Sequence, residues 1–376
     1  MNTPVIIRIM IIPAYIYNYP AFWGSKKHLM PTDIGWKYYI SWEDALWDLL
    51  KAKNVPKDAV VLMPSYHCLD VMNNIDDHGY KCVTYEVDRD FKTTPEKILS
   101  LVNERNAKVI VIFHTQGINN DLMKDTSWME KLPKDVLIIE DAVHHLLKPK
   151  DVKIVSNNHF LIDSQRKVTP LTGSFIYGTK EAMNYEKEKW SSAFLYEAQC
   201  IFWHIFYQFL WWLGYTIQSK WVIEQGEKIL TIHDDLIGDS KRSGHNSTLF
   251  KWLYQHIDFE KVYRIKEKQV EVYFQRIGTI LRTNPAFFLP HFEKDNAKQL
   301  RNFPVGLNID YADGVLKFFR EHGLLIPYLL NQSEWAQKQK LITLPVGPHI
   351  TLKHSNFVCD LVEKYDKEFP NRSYTS

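Results

Sequence analysis

In "HFLIDSQRKVTPLTGSFIYG", His159 to Gly178, an apolar run leads to Lys167, with Ser164 three residues before it. A free ammonium group is a poor nucleophile at neutral pH. Burial or a neighbouring cation lowers its pKa, and Arg166 is adjacent in sequence. An amine so placed can form Schiff bases, and pyridoxal phosphate is the commonest biological use of one. That cofactor needs a carboxylate at its ring nitrogen, an anion holder for its phosphate and a flat or apolar neighbour for its ring. Asp141, at the end of "DVLIIED", supplies a carboxylate, and His144 is placed to reach the ring hydroxyl. Ser164 offers a hydroxyl, and a helix starting after Ser41 offers the backbone N–H groups of Trp42 and Glu43. The residues alone leave other readings open. Lys167 could be a solvated strand-end lysine, or Ser164 and Lys167 a serine acyl-enzyme pair, although a Lys-Thr-Gly partner motif is absent.

The elements that would position these groups follow from periodicity. "SWEDALWDLLKAK" has helical apolar spacing, with Ser41 as N-cap and Glu43 and Asp44 in the first turn. "AVVLMP", "KCVTYEV", "KVIVIFH", "DVLIIED", "HFLID" and "GSFIYG" are short strands, with helices in "YHCLDVMNNIDDHG" and "TPEKILSLVNE". Strands that are apolar throughout belong to a sheet covered on both faces. Alternation of this kind is an α/β pattern, in which ligands collect at the carboxyl ends of strands. His114, Asp141 and Ser164 to Lys167 all follow such ends. Residues 185–280 read as mainly helical, with an aromatic helical segment at about 185–230. The run "DFEKVYRIKEKQVE" reads as an exposed face with i,i+4 pairs. Short strands and helices beyond residue 280 read as a smaller unit. The expected domains are 1–280, a large cofactor-binding domain, and 281–376, a small α+β domain.

Bulk properties narrow the function classes. The 376 residues carry a net charge of +2 and form no basic block, which gives no reason to expect nucleic acid. Four scattered cysteines, Cys68, Cys82, Cys200 and Cys359, point to a reduced, cytoplasmic chain. The apolar N-terminal stretch "MNTPVIIRIMIIPAYIY" is read as a strand rather than a signal peptide, because Arg8 interrupts it. "AFLYEAQCIFWHIFYQFLWWLGYTI" reads as an amphipathic helix packed in the core or on a partner subunit, with membrane-surface contact the less favoured reading. His67, Cys68, His114, His144 and His145 lack metal-ligand spacing, so no metal is expected, and His145 reads as structural.

The order of these motifs resembles the DegT/DnrJ-like nucleotide-sugar aminotransferases of fold type I. "SWEDAL" is similar to the family's Ser-Gly-Thr-x-Ala-Leu, "VIVIFHTQG" to Val-x-x-Val-His-x-x-Gly, and "IIEDAVHH" to Ile-Glu-Asp-Ala-Ala-Gln/His. "FLIDSQRK" is similar to Phe-Ser-Phe-x-x-x-Lys, and "GHNST" to Gly-x-Asn-x-Arg. The resemblance implies a three-layer large domain with a mostly parallel sheet, plus the small α+β domain. It implies Lys167 as the internal aldimine and proton-transfer base, Asp141 at the pyridinium nitrogen and His144 at the ring hydroxyl. Asn246 would reach the phosphate of the other subunit's cofactor, which implies a homodimer with shared sites. The implied reaction moves an amino group from glutamate to a nucleotide-linked keto-sugar. Elimination, decarboxylation and a non-catalytic binding role are the alternatives. Several positions depart from the family. Its glycine and hydroxyl residue at the phosphate helix are Trp42 and Glu43, and the ring-stacking position falls on Cys68, with His67 or Tyr66 able to replace it.

Overall fold

The computed structural model describes residues 12, 16–187, 193–238, 248–324, 326 and 333–369. Most of the expected N-terminal strand, and Asn246, lie outside the described residues.

Strand β1 (Gly35–Tyr39) leads into helix α1 (Trp42–Ala52), where Ser41 Oγ accepts from the Asp44 N–H at 3.1 Å. Next come β2 (Val60–Pro64), α2 (Leu69–Asp77), β3 (Lys81–Tyr85), α3 (Pro95–Arg105), β4 (Ala107–Phe113) and β5 (Leu137–Ala142). Then follow β6 (His159–Asp163), the single turn α4 (Gln165–Val168) and β7 (Ser174–Gly178). The seven strands form one sheet in the order β1-β7-β6-β5-β4-β2-β3. It is parallel from β3 to β6, and β7 runs antiparallel to both β6 and β1. Helices α1 and α2 cover one face over Val61, Val109, Ile139 and Ile162. Successive strand residues point to opposite faces. Asp141 therefore shares the α1 face with Ile139, while Glu140 faces away.

The chain continues through α5 (Ala193–Ile217), α6 (Lys220–Gly238), α7 (Thr248–Tyr254), α8 (Phe259–Ile277) and α9 (Ile280–Thr283). The last elements are β8 (Phe287–Phe288), β9 (Phe303–Asn308), α10 (Ile309–Glu321), α11 (Glu334–Lys338), β10 (Gln339–Leu344) and α12 (Leu352–Glu368). A second sheet, β10-β9-β8, is wholly antiparallel. Its apolar residues Phe303, Val305 and Leu341 join Leu62, Ile110 and Ile138 of the large sheet in one core. The fold is thus α/β, with a mostly parallel sheet and a smaller antiparallel one.

Two helices bear on the sequence expectations. Helix α5 buries Cys200, Tyr207 and Trp211, while Phe202, Ile205, Phe209 and Trp212 remain exposed. Among the described residues, no helix is long and apolar enough to cross a membrane. The charge run of α8 is not a uniformly solvated face, which corrects the expectation. Lys266 is wholly buried and its ammonium donates to the Leu300 carbonyl. Its neighbours Val262 and Val270, one turn away on either side, are core residues, and burial at their stripe carries Lys266 inward.

Candidate active site

The carboxyl ends of β5 and β6 open into a cavity of about 250 Å³. Trp42, Glu43, His67, Cys68, Asp141, His144, Ser164 and Lys167 all line it, although they come from four separate stretches of sequence. Phe113, Gln116, Asp234 and Arg301 complete much of the wall. The size is close to the lower end of ordinary ligand pockets, about 300–1,000 Å³.

The lysine turn is tightly held. Asp163 Oδ1 accepts from the Phe175 N–H at 2.7 Å, and Oδ2 accepts from Gln165 Nε2 at 2.8 Å. The Gln165 N–H donates to the Gly173 carbonyl at 2.8 Å. Gly173 has φ +95°, and a Cβ there would lie 2.0 Å from the Tyr38 hydroxyl, so only glycine fits. Helix α5 braces the same turn. His204 Nε2 donates to the Pro170 carbonyl at 3.0 Å, and the Tyr207 hydroxyl donates to His204 Nδ1 at 2.6 Å.

Lys167 is not the solvated strand-end residue. Burial, then the positive charges of Arg166 and Arg301, lower its pKa to about 7. A substantial share of Lys167 is therefore a neutral, nucleophilic amine near neutral pH. Burial also opposes the charge of Arg166, but Asp234 and Glu43 outweigh it and hold the guanidinium more firmly protonated. Arg166 Nη1 donates to Asp234 Oδ1 at 2.9 Å, which ties α6 to the lysine turn.

Asp141 is paired before any ligand arrives. Its Oδ1 accepts from the Val143 N–H at 3.0 Å, and its Oδ2 accepts from His67 Nε2 at 2.9 Å. A carboxylate has about four lone-pair positions, so capacity remains for one more N–H. The His67 ring lies 4.7 Å from Phe113 and 6.4 Å from Trp42. Cys68 sits at the N-terminal boundary of α2, with its Sγ 3.9 Å from Asp70. Tyr66 stacks on Trp335 at 4.9 Å. Of the three candidates for a flat neighbour, His67 is thus the one that sits on Asp141.

His144 is approached by donors on both sides, the Gln116 N–H at 3.2 Å from Nδ1 and Arg301 Nη1 at 2.8 Å from Nε2. Burial, then Arg301 and Lys167, lower its pKa well below the usual imidazole range. A neutral imidazole accepts on one nitrogen only, so the two approaches alternate as its hydrogen bond. Gly117 makes this junction possible. At φ +83°, a Cβ would lie 2.6–2.8 Å from backbone atoms of Gln299, His144 and Leu300.

The far side of β5 is closed. Glu140 accepts from His114 Nε2 at 2.7 Å and from His159 Nε2 at 3.0 Å. The Nδ1 atoms of the two histidines accept backbone N–H groups from Asn120 and Val155, which fixes Nε2 as the protonated nitrogen. Burial opposes the Glu140 charge, but the two histidine bonds outweigh it and hold the carboxyl below its usual range. His145 lies buried with its ring 5.1 Å from His114.

Sequence reasoning missed Arg301 and Asp234, which reach the cavity from elements far along the chain. Arg301 lies two residues before the apolar β9, a local hint that its side chain is placed by packing.

The cavity fits pyridoxal phosphate at the ring end, with an amine and a carboxylate at neighbouring strand ends. Among the described residues, Trp42 Nε1, the Tyr66 hydroxyl, His67 Nδ1 and Gln116 Oε1 are buried polar atoms without a partner, all on lining residues. A polar ligand would satisfy such atoms. Residues 41–148 match the model of the DegT/DnrJ/EryC1/StrS aminotransferase family. No curated protein matches the sequence. The aminotransferase TlmJ from Streptoalloteichus hindustanus is 13% identical with a TM-score of 0.61, covering 90% of this chain and 87% of that one. NtdA from Bacillus subtilis with bound cofactor PMP is 13% identical with a TM-score of 0.60, covering 88% and 73%. DesV from S. venezuelae, in complex with a ketimine intermediate, is 14% identical with a TM-score of 0.57, covering 88% and 84%. These likenesses are at the level of fold, over nearly the whole chain. The family match spans α1 to β5, and beyond it the likeness to these aminotransferases is one of fold.

Proposed function

We propose that the chain moves an amino group from glutamate to a nucleotide-linked keto-sugar, with Lys167 as the covalent anchor and proton carrier. The observation that carries this reading is Lys167 itself, a buried amine with its pKa lowered to about 7, in one cavity with Asp141. The bound cofactor supplies an aldehyde and an electron-withdrawing ring. In this reading Lys167 Nζ would hold the cofactor through its aldehyde carbon, the aldehyde oxygen leaving as water, and the same amine would serve as the proton carrier of the site. Asp141, oriented by Val143 and His67, holds the ring nitrogen protonated. His144 orients the ring hydroxyl. Arg301 offers a guanidinium that recognises a donor's carboxylate in two-point fashion.

Ser164 serves the phosphate, Asn246 serves the site of a second copy, and the protein works as a cytoplasmic homodimer. Residues 281–376 act as the small domain that presents Arg301 and the elements after it against the large one. The test is the visible absorbance of purified protein incubated with pyridoxal phosphate. A band absent from Lys167→Ala supports the reading, and a protein that stays colourless overturns it. Amino donor and keto-sugar pairs then test the reaction. A second reading, a fold relative that binds a partner and catalyses nothing, draws on Trp42 and Glu43 at the anion end. It predicts no turnover with any donor even if colour develops.

A further inference from the structure

The anion end of the cavity already holds an anion. Glu43 is the second residue of α1, where the unpaired backbone N–H groups and the helix dipole favour negative charge. Its side chain lines the cavity beside Ser164, Arg166 and Lys167. The carboxylate bonds back to the Glu43 N–H, one of the groups a phosphate would use, and feels the charges of Arg166 and Lys167. Asp44 N–H is already spent on Ser41. A carboxylate at that place is an internal substitute for phosphate: same charge sign, same backbone donor, same cations.

We propose that Glu43 occupies the phosphate subsite and must turn away, or be neutral, before the cofactor's phosphate can seat against α1 and Arg166. Glu43 is then a determinant that weakens capture of the phosphorylated cofactor while leaving the ring end untouched. Arg166 is the pivot. Its charge is shared between Asp234 and Glu43 and would pass to the phosphate when Glu43 leaves. Burial raises the Glu43 pKa, although Arg166 and its own N–H oppose this, so its neutral form is more accessible than that of a solvated glutamate.

The inference rests on the cofactor reading above, and its test separates the two. Equilibrium binding of pyridoxal phosphate and of unphosphorylated pyridoxal is measured, by absorbance and by tryptophan quenching, for wild type, Glu43→Gln and Glu43→Ser. Both variants are expected to bind pyridoxal phosphate about tenfold or more tightly than wild type, because a like charge has left a poorly screened site. Pyridoxal, which has no phosphate, is expected to bind all three equally. Unchanged or weaker pyridoxal phosphate binding in both variants would overturn the inference while leaving the cofactor reading intact. Equal tightening of both ligands would also overturn it, since Glu43 would then be obstructing the ring. If none of the proteins takes up either ligand, the cofactor reading falls and this inference with it.

Discussion

Glu140 and Asp141 are neighbours on β5 and face opposite sides of the sheet. Each is a buried carboxylate bonded to histidine, yet their surroundings differ in kind. Glu140 accepts from two histidines whose tautomers are fixed by backbone donors, in a closed pocket. Asp141 accepts from the Val143 N–H and from one histidine whose other nitrogen has no partner among the described residues, and it borders a cavity. Each accepts two hydrogen bonds, one on each oxygen, so what differs is access: the remaining lone pairs of Asp141 face a cavity, whereas those of Glu140 do not. The same residue chemistry is thus divided into support and function by access to the cavity.

The sharpest break in this comparison comes from the amine opposite Asp141. Lys167→Ala is expected to lower turnover by about 10⁴-fold or more, with the thermal midpoint unchanged or raised, since a costly buried amine is removed. Steady-state rates and a melting curve check both halves. Asp141→Asn is expected to lower kcat by about 10²-fold to 10³-fold with little loss of stability. Glu140→Gln should do the reverse, losing about 2–4 kcal/mol in denaturant unfolding while turnover per folded molecule stays within a few-fold. If the two variants behave alike, the division between support and function is wrong.

A pH titration sharpens the point. The Lys167 pKa in the folded chain, about 7, lies below its unfolded value of about 10.4. Between these values the unfolded chain binds more protons, so this group's contribution to stability rises with pH through that window. Below about pH 7 the buried ammonium penalty is fully present. The rate of cofactor uptake, followed by stopped-flow absorbance, should therefore rise through about pH 7 and then level off. The smallest effect concerns Arg301. Arg301→Lys keeps the charge but loses the planar fork, and should raise KM for the amino donor about tenfold with kcat nearly unchanged.

Much of the fold could be read from residue order. Ser41 and Thr94 cap α1 and α3 as side chains of that type do, and the apolar runs of β2, β4, β5 and β6 sit in the sheet interior. Strand β1, "GWKYY", had no such run. It is an edge strand, specified by its pairing with β7 rather than by its own pattern. In the site, the residues near Lys167 and Asp141 in sequence were legible because strand ends place them. The His67 ring on Asp141 was not, since the sequence put the stacking position on Cys68, with His67 or Tyr66 as replacements, and packing against Phe113 decides. Arg301 and Asp234 were invisible because nothing local distinguishes a cavity guanidinium or carboxylate from a solvated one. Lys266 misled for the same reason, its charge hiding a core position.

The alternation of β5 has one more consequence, for folding rather than chemistry. A slip of one residue in strand register would send Glu140 to the cavity and Asp141 to the histidine pocket. The shorter aspartate cannot span both His114 and His159 as Glu140 does, and two imidazole N–H groups would be left buried without acceptors. The histidine pair therefore rejects the misregistered strand at the moment the sheet closes. A device with no part in the reaction thus ensures that the carboxylate reaching the cavity is the right one.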